Sequence, residues 1–173
     1  CDSELFPSMY TWDEELPSGR ILCEGAQGIC LDIDHKSYPY VTSSHTLPWA
    51  ACSLGFSHKN IGKIYGVSKV YDTRSGIDPE WTGKIDLKET ELLDRLRTLG
   101  SEYGVTTGRN RGVNWLDLNQ LINSCNIAGV DCLILNKCDI LNDLGRYKLY
   151  YNEEINTFSN EECFKNFITN EIE

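Results

Sequence analysis

The chain has 173 residues, 40% of them hydrophobic and 10% aromatic, enough to bury one core and too apolar for disorder, so one partial domain over residues 1–173 is expected. Its formal net charge of −10 argues against a sequence-independent grip on nucleic acid, which depends on Lys and Arg neutralising phosphates. No apolar run nears the roughly 20 residues of a membrane-spanning helix, and the acid-rich N-terminus lacks the blocks of a signal peptide, which points to a cytoplasmic protein without a membrane partner.

Residues 21–23 form a short apolar run that stops at E-G-A-Q-G, residues 24–28, and reads as a buried strand feeding a glycine-flanked turn. Residues 61–70 are rich in β-branched side chains and predict a second strand, followed by a polar loop over 71–76. Between residues 88 and 99, Leu92, Leu93, Leu96 and Leu99 recur at helical spacing, with Gly100 after them. A second helical pattern covers 116–127, with Asp117 near its start and Gly129 past its end. The apolar run at 130–135 then reads as a buried parallel strand, so that residues 136–139 lie at a strand's carboxyl end, where open α/β sheets bind ligands. The acidic tail from 152 to 173, with Phe158, Phe164, Phe167 and Ile168, predicts one last amphipathic helix. Eight cysteines contain no C-x-x-C pair and several sit in apolar segments, so reduced, buried thiols are expected rather than a disulfide scaffold.

Three motifs carry chemistry. In N-K-C-D, residues 136–139, the Asp139 carboxylate can accept from the ring N–H and the exocyclic amino group of guanine while the Lys137 stem lies along the base; the alternative is a solvated turn. In T-T-G-R-N-R, residues 106–111, two guanidinium forks and two hydroxyls flank a glycine, which suits a small dianion; the alternative is a charged surface turn. In D-I-D-H, residues 32–35, strand alternation would send Asp32 and Asp34 to one face and His35 to the other, so no metal ligands are assigned. The hydroxyls of Thr42, Ser43 and Ser44 suit either a phosphate or a turn, and neither His45 nor His58 has a recognisable carboxylate partner. Phosphoryl transfer needs a phosphate cradle and Mg²⁺, and no motif here supplies them.

Taken in order, E-G-A-Q-G (24–28), L-D-I-D-H-x-x-Y-P-Y-V-T-S-S (31–44), T-R-S-G (73–76), T-T-G-R-x-R (106–111), W-L-D-L (115–118) and N-K-C-D (136–139) resemble the adenylosuccinate synthetase family. The resemblance implies an α/β fold, a mainly parallel sheet flanked by helices as in P-loop NTPases, present here in part, and a cytoplasmic homodimer. It implies a ligase of purine biosynthesis that joins L-aspartate to IMP with GTP hydrolysis, using Mg²⁺. Gln27, Thr42 and Arg109 are then expected at the purine nucleotide, and Val105, Thr106, Thr107, Gly108, Arg109 and Arg111 at aspartate. Arg111, Lys137, Cys138 and Asp139 are expected at GTP. The family's glycine-rich phosphate loop and its acid histidine have no counterpart here, so no catalytic residue is assigned to this chain and the isolated chain is expected to be inactive.

Lys36 and Asn114 stand where the family usually has glycine, and H-T-L-P-W at 45–49 replaces the usual Asn-Thr-Thr run, departures that resemble a short viral or archaeal branch. Two alternatives follow: a viral-type synthetase acting on dGMP with ATP or dATP, and a non-catalytic nucleotide-binding fragment.

Overall fold

A computed structural model describes residues 18–79, 81, 87–106 and 108–172. Its backbone contacts divide the chain into two compact units, Cys1–Ile64 and Tyr65–Glu173. The described part of the first unit has no strand and three short 3-10 turns, Ile29–Leu31, Pro48–Leu54 and His58–Asn60. Proline opens the second turn, where its missing N–H is no loss, and Gly55 closes it with φ 96°, a left-handed conformation that an L side chain resists. The strand expected at residues 21–23 does not form: Leu22 is 85% exposed and no described strand pairs with the run. Three apolar residues without a neighbouring ladder leave their backbone groups to water.

The second unit is α/β, as expected. Strand β1 (Tyr65–Lys69) pairs in parallel with β4 (Cys132–Asn136). A four-stranded sheet has the order β2, β3, β5, β6, with β2 (Tyr71–Arg74) antiparallel to β3 (Gly112–Asp117) and β3 parallel to β5 (Tyr147–Tyr151). Strand β6 (Glu154–Phe158) returns antiparallel to β5. Among the described residues the unit also holds helices α1 (Thr90–Leu99), α2 (Leu118–Ala128), α3 (Cys138–Leu144) and α4 (Glu161–Ile172), with a 3-10 turn, Leu87–Glu89, before α1. Asp117 caps α2, its carboxylate accepting from Gln120 N–H at 3.0 Å, and Gly129 ends that helix in the left-handed region at φ 65°.

The core gathers Leu93 and Leu96 of α1, Val113, Trp115 and Leu116 of β3, Leu141 of α3, Leu149 of β5, and Phe164 and Ile168 of α4. Four successive residues of β3 are buried, so both faces of this strand are covered, as a central parallel-paired strand requires. Phe158 of β6 meets Phe164 and Phe167 of α4 with ring centroids 5.6 and 5.1 Å apart.

Several sequence expectations change. The polar loop expected from Tyr71 is strand β2, because Tyr71 packs into the core while its polar neighbours pair with β3. Residues 116–117 belong to β3, not to the following helix. The acidic tail holds β6 as well as α4. Strand β4 is not buried through; its residues alternate between exposed and half-buried, so one face is partly covered and the other open, and among the described residues it pairs with β1. None of the seven described cysteines forms a disulfide, yet three are exposed and four half-buried.

Candidate functional site

In the first unit, Gln27 is exposed with φ 60°, and Thr42 is half-buried with its N–H bonded to Leu31 O at 2.7 Å. That bond, with Ile33 N–H to Ser44 O at 3.2 Å, closes residues 31–44 into a loop around the buried Asp32. One Asp32 oxygen accepts from Thr46 N–H at 2.6 Å and Thr46 Oγ1 at 3.3 Å, and the other from Asp34 N–H at 3.0 Å. Burial pushes the Asp32 carboxyl up, but the Thr46 and Asp34 amides and His45 outweigh it and hold the group below the usual carboxylate range.

His45 therefore does have carboxylate partners, Asp32 at 3.4 Å and Asp34 at 3.7 Å from its Nδ1. The region turns rather than extends, so the strand alternation that would have separated such groups does not apply. Asp32, Asp34 and His45 are the described cluster whose ligand atoms could meet around a metal. The set does not fit Mg²⁺, which takes oxygen ligands in octahedral array: one member is an imidazole, and both Asp32 oxygens are already bonded within the loop.

In the second unit, the T-T-G-R-x-R segment is a protruding turn on a narrow base. An isolated bridge joins Tyr103 and Asn110, Arg111 N–H bonds Glu102 O at 3.0 Å, and Gly104 N–H bonds Arg109 O at 2.8 Å. Gly108, at φ 60°, lets the turn reverse. Val105, Thr106 and Arg109 are exposed at its tip, while Thr107 lies outside the described residues. At the base Arg111 is half-buried, with Nη1 donating to Glu102 Oε2 at 3.3 Å. Its Nε is buried and meets no acceptor among the described residues.

The N-K-C-D segment follows β4 as expected. Asn136 ends the strand, Lys137 takes a left-handed φ of 66°, and α3 starts at Cys138 with Asp139 in its first turn, exposed. The Asn136 side chain accepts from Lys137 N–H at 2.7 Å, and Lys137 Nζ donates to Gly100 O at 3.2 Å. Cys138 is half-buried against the core, where burial pushes its thiol above the usual range.

The turn that ends α1 thus touches both motifs, through Gly100 on one side and Glu102 on the other. Sequence reasoning missed Glu102, a lone acid before the loop with no spacing signal; only its bonds single it out. Arg74 of T-R-S-G is buried and paired with Asp78 at 3.2 Å.

The sequence profile of the adenylosuccinate synthetase family matches residues 7–167. The chain is 47% identical over 131 residues to adenylosuccinate synthetase of Thermus thermophilus, covering 75% of this chain and 31% of that protein. It is 44% identical over 146 residues to the Phocaeicola vulgatus enzyme, covering 83% and 34%. Among solved structures it resembles fully ligated adenylosuccinate synthetase from Plasmodium falciparum with a TM-score of 0.65 and 35% identity, over 82% of this chain and 35% of that one. A cyanophage S-2L succinoaminodeoxyadenylate synthetase, bound to dGMP and dATP, shares the fold at TM-score 0.50 and 18% identity, over 84% and 48% of the two chains. The chain belongs to the adenylosuccinate synthetase family, a family of ligases in purine biosynthesis, and spans about a third of the length of the relatives it matches. Among the described residues no helix is long and apolar enough to cross a membrane.

Proposed function

We propose that this chain works within a complete adenylosuccinate synthetase that joins L-aspartate to IMP at the expense of GTP. The γ-phosphoryl group of GTP passes to O6 of IMP, and the aspartate amine then displaces it as phosphate to give adenylosuccinate. Gln27 and Thr42 contact the purine nucleotide with Arg109. Val105, Thr106, Thr107, Gly108, Arg109 and Arg111 hold aspartate. Arg111 also meets GTP, whose base is read by Lys137 and Asp139; Cys138 contributes its main chain, since its thiol packs on the core. Mg²⁺ accompanies GTP, and the enzyme acts as a homodimer in the cytoplasm, as the family resemblance implies.

The observation that carries this reading is the Arg-bearing turn: Arg109 exposed at its tip and, at its base, an Arg111 whose buried Nε–H meets no acceptor among the described residues. Guanidinium forks so placed suit a small dianion better than a folding role. Identity of 47% and 44% to bacterial adenylosuccinate synthetases supports IMP as the purine. Likeness to the phage enzyme at 18% identity bears on the fold alone. In the complete enzyme, Arg109→Lys should lower kcat/KM for L-aspartate by roughly tenfold, since a point charge cannot replace a bidentate fork. Steady-state assays that found the aspartate dependence unchanged would remove Arg109 from the clamp.

A further inference from the structure

We propose that Glu102 is a positioning residue for the aspartate clamp: its buried carboxylate holds the half-buried Arg111 guanidinium by one terminal nitrogen, Nη1, and so presents the rest of the fork to the ligand's anionic group. This rests on the reading of Arg111 as a clamp residue.

Glu102 is 2% exposed, and a carboxylate so enclosed persists as an anion only with donors around it. Three surround it. Lys69 Nζ and Tyr71 Oη donate to Oε1 at 2.7 and 2.8 Å, and Arg111 Nη1 donates to Oε2 at 3.3 Å. Lys69 ends β1 and Tyr71 opens β2, with Val70 between them bonded through its N–H to Asn136 O at 3.0 Å. The acceptor is therefore held on two adjacent strand ends, while the group it orients sits at the root of the exposed turn.

Charge and geometry both leave Arg111 unsatisfied. Burial pushes the Tyr71 phenol up, and Glu102 pushes it further, so it donates as a neutral group. Burial would raise the Glu102 carboxyl, but Lys69, Tyr71 and Arg111 together hold it below the usual range. At the Glu102 carboxylate itself two cations, Lys69 and Arg111, converge. Arg–carboxylate pairs are frequently bidentate, with two parallel N–H bonds. Here one nitrogen is engaged, at 3.3 Å, and Nε is buried without an acceptor among the described residues. The arrangement tethers the guanidinium at Nη1 and leaves the rest of its fork for a bound carboxylate or phosphate.

The Tyr71 contribution also explains the glycine two residues before Glu102. A Cβ at Gly100 would run into Tyr71 Oη, displacing the phenol from the carboxylate. The Gly100 carbonyl in turn accepts from Lys137 Nζ, so the same turn braces the base-reading segment.

The test is steady-state kinetics of the complete enzyme with Glu102→Gln, Arg111→Ala and the double variant. Glu102→Gln should raise KM for L-aspartate by about tenfold with kcat changing much less, as expected for loss of a charge-assisted orienting bond. In the double variant KM should match that of Arg111→Ala alone, because Glu102 acts through Arg111. If Glu102→Gln fails to fold, Glu102→Asp keeps the charge, withdraws the acceptor by one methylene, and should raise the same KM several-fold. A raised KM in Arg111→Ala with none in either Glu102 variant overturns the positioning role and leaves the clamp intact. An unchanged KM in Arg111→Ala overturns both. A fall confined to kcat or to the fraction of active enzyme, with KM unmoved in the Glu102 variants, assigns Glu102 to folding alone and rejects the proposal.

Discussion

The two units are held together by different physics. In Tyr65–Glu173, apolar side chains from four helices and the central strands share one core around Trp115. In the described part of Cys1–Ile64, Leu47 is the buried apolar residue, and the loop over residues 31–46 closes around the carboxylate of Asp32. Core packing spreads stability over many small contacts, so that no single polar group decides it. A loop organised on one buried anion concentrates its stability in that anion's hydrogen bonds and inherits its titration.

The contrast can be broken at its strongest point by Trp115→Ala, which should cost about 3–5 kcal/mol in denaturant unfolding, the usual range for deleting a buried aromatic. A loss below about 1 kcal/mol would mean that the unit does not depend on this core. Next in size, Asp32→Asn should lower amide-exchange protection over residues 31–46 by about 1–3 kcal/mol while leaving the amides of β3 and β5 unchanged. The pH dependence has a definite sign. Asp32 is held below its ordinary value in the folded state, so its contribution is complete above the unfolded carboxyl value and disappears as pH falls through the folded one. Protection of this loop should therefore fall below about pH 4 in the native sequence and not in Asp32→Asn. The smallest effect sharpens the comparison from the other side. Asp117→Ala removes a helix cap in the core-built unit and should cost about 1 kcal/mol in thermal unfolding, less than the loss of Asp32 in the loop.

Legibility in the sequence divides along similar lines. Helix α1, helix α2 with its cap and terminal glycine, and strand β4 with its parallel pairing follow from periodicity and end signals carried within a few residues. Strands β2, β3, β5 and β6 do not. Tyr71 pairs with Trp115, 44 positions along the chain, and G-V-N-W-L-D has no strand alternation because both its faces are buried. Strand preference is a property of the paired, half-buried surface, and a single segment does not display it. The site divides in the same way. The Arg-bearing turn and N-K-C-D are contiguous and could be recognised from their chemistry. The Asp32–His45 contact depends on a loop closure, and Glu102 on three donors from two stretches well separated from one another, Lys69 with Tyr71 and Arg111.

Lys137 sits at φ 66°, where a side chain costs on the order of 1–2 kcal/mol that glycine would not incur. A selection scheme that rewarded thermal tolerance alone would favour glycine there and erase both the cation beside Asp139 and its tether to the end of α1. Conformational tension at this one residue thus sets stability in opposition to the base-reading role proposed for Lys137, and an engineered, more heat-resistant version of the chain should leave position 137 untouched.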